Sequence, residues 1–147
     1  SNVALAVGSK IDYVRIRLTT EDIGEHDMIL ADARLSVIKE DYTIVDRMTG
    51  ADLSDRRYEP LFDYFLDHEE AGSAWRVVSA DYVSTEDGTG IVHTAPAFGA
   101  EDFETAQKQG LPLINPVLPD GTFDAEITLV AGMFFKDADK VISRDLR

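Results

Sequence analysis

An α+β domain, rich in strands and carrying a few short helices, is what this sequence predicts, and three observations carry that prediction. Val14, Ile16 and Leu18 alternate with Tyr13, Arg15 and Arg17, the period of a strand with one buried face. Further strand-like runs recur at 42–47, 75–83 and 91–92, separated by turn signals. Helical patterning is confined to Glu101–Gln109 and a stretch opening at Asp137. With 147 residues and no repeat, linker or low-complexity tract, residues 1–147 read as a single domain, long enough to bury a core.

Taken in order, Thr19 to Asp27 reads as a polar, acidic connection after the first clear strand. Ala31 to Lys39 is either a short helix or an irregular entry to the next strand, Tyr42 to Arg47, which Thr49-Gly50 closes with a turn. Pro60 lies inside the aromatic, charged segment Ser54 to Glu70, so this is loop, with its aromatics expected to pack inward. Trp75 to Val83 is a strand, followed by the acidic turn Ser84 to Asp87. The helix Glu101–Gln109 stops at Gly110, a position where glycine commonly takes the left-handed cap conformation. Pro112 and Pro116 bracket a strand-like Leu113-Ile114, and Asp120-Gly121 is a turn. Asp137 can cap a last helix that places Ala138, Val141, Ile142 and Leu146 on one face.

Composition narrows the function classes. There is no cysteine, so disulfides and thiolate metal sites are excluded, and a reducing compartment is allowed. The longest apolar stretches, such as Leu129 to Phe135, are too short for a membrane-spanning helix, and no signal-peptide pattern opens the chain. The formal net charge of −14 argues against a nucleic-acid module acting by itself, because phosphate affinity comes from a basic face. His26 sits in Glu25-His26-Asp27 and His68 in Asp67-His68-Glu69-Glu70. Neither has the i, i+4 histidine pairing or the thiolates of a zinc site, so no metal is expected.

The run with chemical content is Gly88 to Phe103, GTGIVHTAPAFGAEDF. Gly88 and Gly90 open conformations closed to other residues, and Ile91-Val92 form a short buried strand that delivers His93 and Thr94 to its end. Pro96 biases Ala95 toward an extended conformation, so the chain cannot run straight on into a helix. Glu101 and Asp102 then fall at a helix start, where negative charge is favoured. An imidazole and a carboxylate so meet at the mouth of a loop of small residues, with no nucleophile beside them. Dipole compensation is the ordinary role of a helix-start acid, and Glu101 reads that way.

This run resembles the core motif of the editing (CP1) domain inserted in class I aminoacyl-tRNA synthetases for branched aliphatic amino acids. Pro96-Ala97-Phe98-Gly99 with His93 upstream is similar to the isoleucyl pattern, whereas valyl and leucyl domains typically follow the proline-alanine pair with His-Asp. Ser1 to Gly8, Tyr58-Glu59-Pro60-Leu61-Phe62-Asp63-Tyr64, Trp75 to Tyr82 and Gly132 to Arg147 resemble other elements of the same domains, so the likeness covers nearly the whole chain. It implies a closed or partly closed β-barrel core. It also implies hydrolysis of valine mischarged onto isoleucine tRNA, with the aminoacylated 3′ end of that tRNA, its valine moiety and the rest of a synthetase as partners. A cytoplasmic location follows from the same likeness. No cofactor is implied for such a domain; ATP, and metals such as Mg or Zn, belong to other domains of these synthetases.

On this resemblance Asp102 holds the α-ammonium of the aminoacyl group, and His93 lines the side-chain pocket and excludes the larger cognate side chain. Gly88, Thr89, Gly90, Thr94 and Ala95 shape the pocket walls, and Asn2 is a supporting polar contact. The threonine-bearing segment of these domains is expected ahead of Ser1, so residues 1–147 alone are expected to hydrolyse poorly. The readings that compete are a valyl- or leucyl-type domain and a non-catalytic structural or interaction insert.

Overall fold

The nine-residue strand Asp12–Thr20 and its two neighbours anchor the architecture of the computed structural model, which describes residues 2–69 and 71–146. Ser1, Glu70 and Arg147, which end three of the segments named above, lie outside the described residues. The strands are β1 (Ala4–Val7), β2 (Asp12–Thr20), β3 (Gly24–Ala31), β4 (Tyr42–Thr49), β5 (Arg76–Ser79) and β6 (Ile91–Thr94). The α-helices are α1 (Gly50–Leu53), α2 (Ala100–Gln109) and α3 (Phe135–Asp145), with 3-10 turns at Asp32–Val37 and Ala71–Ser73. The α+β class therefore holds. The described strands form two three-stranded sheets, β3-β2-β4 and β5-β1-β6, so of the closed or partly closed core that the resemblance implied, the fully closed form is not seen among the described residues.

In the first sheet all pairings are antiparallel. Val14, Ile16 and Leu18 are buried as their alternation predicts, each contributing about 1.5–3 kcal/mol through apolar burial. Tyr13 departs from that alternation and is wholly buried. The reason is polar: its hydroxyl donates to the Gly90 carbonyl at 2.7 Å and accepts the Gly8 N–H at 3.1 Å, joining the two sheets. Thr19 to Asp27 is not simply a connection, because β3 begins at Gly24, which takes φ +79° after the turn. The polar look of Glu25-His26-Asp27 belongs to an edge strand whose Asp27 pairs across to Arg17 at 2.7 Å.

The second sheet is built from four-residue strands, with β1 parallel to β5 and antiparallel to β6. The predicted strand Trp75–Val83 shrinks to β5 because Trp75 takes φ +51° and the chain turns away after Ser79. Leu113-Ile114 is no strand, though Ile114 is buried against the core beneath the second sheet, together with Ala106 of α2. Gly110 caps α2 at φ +64°, as read from the sequence. Helix α3 starts at Phe135, so Asp137 lies in its first turn and is not its cap. Ala138 is buried, with Val141 and Ile142 packed beside it, while Leu146 is half exposed. The aromatics of the Tyr58–Phe65 segment are only half buried, because they border a cleft.

Candidate functional site

Strand β6 carries the candidate residues, and its two ends have different surroundings. At its start, every carbonyl of the Gly88-Thr89-Gly90 turn is held from the first sheet's side. Arg34 Nε donates to Gly88 at 2.8 Å, the Ala31 N–H to Thr89 at 2.8 Å, and the Tyr13 hydroxyl to Gly90. Gly90 takes φ +75°, and a Cβ there would stand 2.6 Å from that of Ala31. The turn is thus a packing joint. Gly88, Thr89 and Gly90 are not among the residues lining the cleft described below.

At the other end, His93 pairs with Leu5 across β1 and is exposed, lining a cleft of about 1020 Å³. Thr94, next along, is fully buried with its hydroxyl unpartnered, and neither it nor Ala95 lines the cleft. Ala95 has a different task. Its N–H donates to Asp102 Oδ2 at 3.0 Å, and the carboxylate folds back over Gly99 to reach it. That bond ties α2 to the end of β6. Since Ala95 is two residues past His93, chain geometry keeps the Asp102 carboxylate within about 10 Å of the His93 Cα. Asp102 Oδ1 has no hydrogen-bond partner among the described residues, and the residue is half-buried. Glu101 is exposed, the dipole-compensating acid it resembled.

The cleft is mostly apolar, walled by the Tyr58–Phe65 segment, Trp75, Phe98, the 114–123 loop and α3. Asn2 also lines it. The Asn2 Nδ2 donates to the Ala4 carbonyl at 2.9 Å, and its Oδ1 accepts the Tyr58 hydroxyl. Burial pushes the Tyr58 phenol up to about 12, with the Asn2 bond opposing the rise. The phenol therefore stays protonated and acts as a donor. Tyr58, Trp75 and Phe98 were not singled out as site residues. For Tyr58 a signal existed in the YEPLFDY run, but aromatics around a proline read equally as core.

Among the described residues, no group of three or more His, Asp or Glu side chains could hold a metal, and His26 is engaged with the Gly24 carbonyl at 2.9 Å. No helix among them is long and apolar enough to cross a membrane. Chemically, the cleft offers an imidazole on an apolar wall and a fixed amide–phenol pair; Asp102, like Thr94 and Ala95, is not among its lining residues, and its carboxylate stands within about 10 Å of the His93 Cα.

No protein-family model matches the chain. Over 100% of its length it is similar to isoleucine–tRNA ligases: 44% identical over 151 residues to that of Bdellovibrio bacteriovorus and 42% over 149 residues to that of Chlamydia muridarum. It is 43% identical over 157 residues to the cytoplasmic isoleucine–tRNA ligase of Mus musculus. The chain spans only 14%, 14% and 12% of the length of these three proteins. Among solved structures, the crystal structure of GlLeuRS-CP1 superposes with a TM-score of 0.66 at 16% identity, covering 99% of this chain and 74% of that one. The resemblance read from the motifs is borne out: the relatives are isoleucine–tRNA ligases, and the fold is that of a CP1 domain.

Proposed function

We propose, from this kinship with isoleucine–tRNA ligases, that the chain is an editing domain that hydrolyses valine from mischarged isoleucine tRNA. The observation that carries the reading is His93 on an apolar cleft, two residues before the N–H that anchors Asp102. In the proposed reaction the free Asp102 oxygen takes the α-ammonium of the aminoacyl group, a charge-assisted contact that fixes the ester. Water adds to the ester carbonyl, the bond to the ribose oxygen breaks, and that oxygen takes up a proton. His93 limits the space left for the side chain. One methylene is worth only about 1–3 kcal/mol to a hydrophobic pocket, a limit for which isoleucyl-tRNA synthetase is itself the standard illustration, so a second, smaller site has work to do.

The net charge of −14 fits a module that receives only the 3′ end of a tRNA gripped elsewhere. A cytoplasmic setting goes with that partner. The proposed hydrolysis draws on water and side chains of this chain, with ATP use left to the remainder of a ligase. In an isoleucine–tRNA ligase carrying these residues, Asp102→Ala is expected to abolish deacylation of valyl-tRNA and leave isoleucine activation intact. Losing such a partner costs about 2–5 kcal/mol by analogy with buried charge pairs. Deacylation at the unmodified rate would remove Asp102 from the mechanism.

A further inference from the structure

Trp75 is one of two residues other than glycine with positive φ among the described residues; the other is Asp55, at +66°. A bulky residue in the left-handed region persists only where its surroundings over-determine it. At Trp75 they do so twice. Its N–H donates to the Val3 carbonyl at 2.6 Å, and its carbonyl accepts the Tyr58 N–H at 3.0 Å. The strained residue therefore stitches the entry to β1 directly to Tyr58. The consequence is the contact between the Tyr58 hydroxyl and the Asn2 carboxamide, in the cleft that His93 also lines.

An asparagine side chain has two N–H donors and two acceptor lone pairs. Here one donor is used on Ala4 and one lone pair on Tyr58, which together fix which end of the amide is oxygen. One donor and one acceptor remain, the complement that a hydroxyl group requires. We infer that Tyr58 is a positioning residue of this cleft: it orients the Asn2 carboxamide so that the amide binds a hydroxyl of a ligand held in the cleft. Trp75 is the backbone brace that holds Tyr58 there. This rests on the editing reading and adds to it a residue and the class of ligand group that the residue serves.

The test uses an isoleucine–tRNA ligase carrying these residues, with Tyr58→Phe, Asn2→Ala, the double variant and Asp102→Ala, assayed on valyl-tRNA. A lost neutral hydrogen bond predicts a rise in KM of about fivefold to tenfold for Tyr58→Phe. The kcat is expected to stay within about twofold and the thermal midpoint to stay unchanged. Because Tyr58 acts through Asn2, adding Tyr58→Phe to Asn2→Ala is expected to raise KM no further. An unchanged KM in Tyr58→Phe, with Asp102→Ala inactive, overturns the inference and leaves the editing reading standing. A Tyr58→Phe effect that persists in full on the Asn2→Ala background, or that follows a fallen midpoint, assigns Tyr58 a structural role and also overturns it. If neither Asp102→Ala nor Tyr58→Phe alters deacylation, the editing reading itself falls.

Discussion

The two sheets solve different problems with the same element. Strands β2, β3 and β4 run eight or nine residues, follow one another in the chain with β2 at the centre, and carry ion pairs on their exposed side, Arg17 with Asp27 and Arg47 with Asp32. Strands β1, β5 and β6 have four residues each, and β1 draws its partners from 76–79 and 91–94. Ladders that short hold little by themselves. The second sheet is instead held at its margins, by the Tyr13, Ala31 and Arg34 bonds to the glycine turn and by the Trp75 brace. The longer sheet acts as scaffold. The shorter one, fixed at the start of β6, leaves the other end of that strand to present His93.

Breaking the joint between them is expected to have the largest effect on stability. Tyr13→Phe removes a buried hydroxyl and strands the Gly8 N–H and the Gly90 carbonyl. Leaving such groups unsatisfied costs about 1–3 kcal/mol each, and a loss of about 2 kcal/mol overall is expected from denaturant unfolding of the chain. A loss below about 0.5 kcal/mol would mean that the sheets are joined chiefly by apolar packing.

A smaller effect sharpens the contrast from the scaffold side. Hydrogen bonding from Arg17 holds the Asp27 carboxyl below its usual range. A depressed folded-state value stabilises above the unfolded value of about 3.9 and is lost as pH falls through the folded one. Asp27→Asn is therefore expected to flatten the acid side of the stability profile below about pH 4, with little change at neutral pH. An unaltered profile would show the pair to be fully screened by solvent.

These differences explain what was legible in the sequence. Alternation over Val14, Ile16 and Leu18 revealed β2 because one physical signal, a buried face, governs the whole strand. The acids of Glu25-His26-Asp27 concealed β3, since an edge strand answers its charges across the ladder and not in its own segment. The helix from Ala100 to Gln109 and its Gly110 cap were local matters and were read correctly. The cleft was not local. Asn2, Tyr58, Trp75 and His93 are brought together by β1 pairings and one left-handed tryptophan, and no window of sequence contains them all. The glycine turn was legible only in part, because small residues with free φ suit a pocket wall and an inter-sheet joint equally well, and its bonds to Tyr13, Ala31 and Arg34 appear only in the fold.

On the proposed reading, the His93 side chain carries specificity while contributing little to the fold. His93 is exposed, so His93→Ala is expected to change stability by no more than about 0.5 kcal/mol. The decisive measurement is the ratio of valyl-tRNA to isoleucyl-tRNA deacylation by an isoleucine–tRNA ligase carrying these residues, with and without His93→Ala. A wall that separates side chains differing by one methylene works within about 1–3 kcal/mol, so the ratio is expected to fall by about 10- to 200-fold as isoleucyl-tRNA becomes a substrate. An unchanged ratio in a variant that remains folded and active would place the sieve elsewhere and contradict the account.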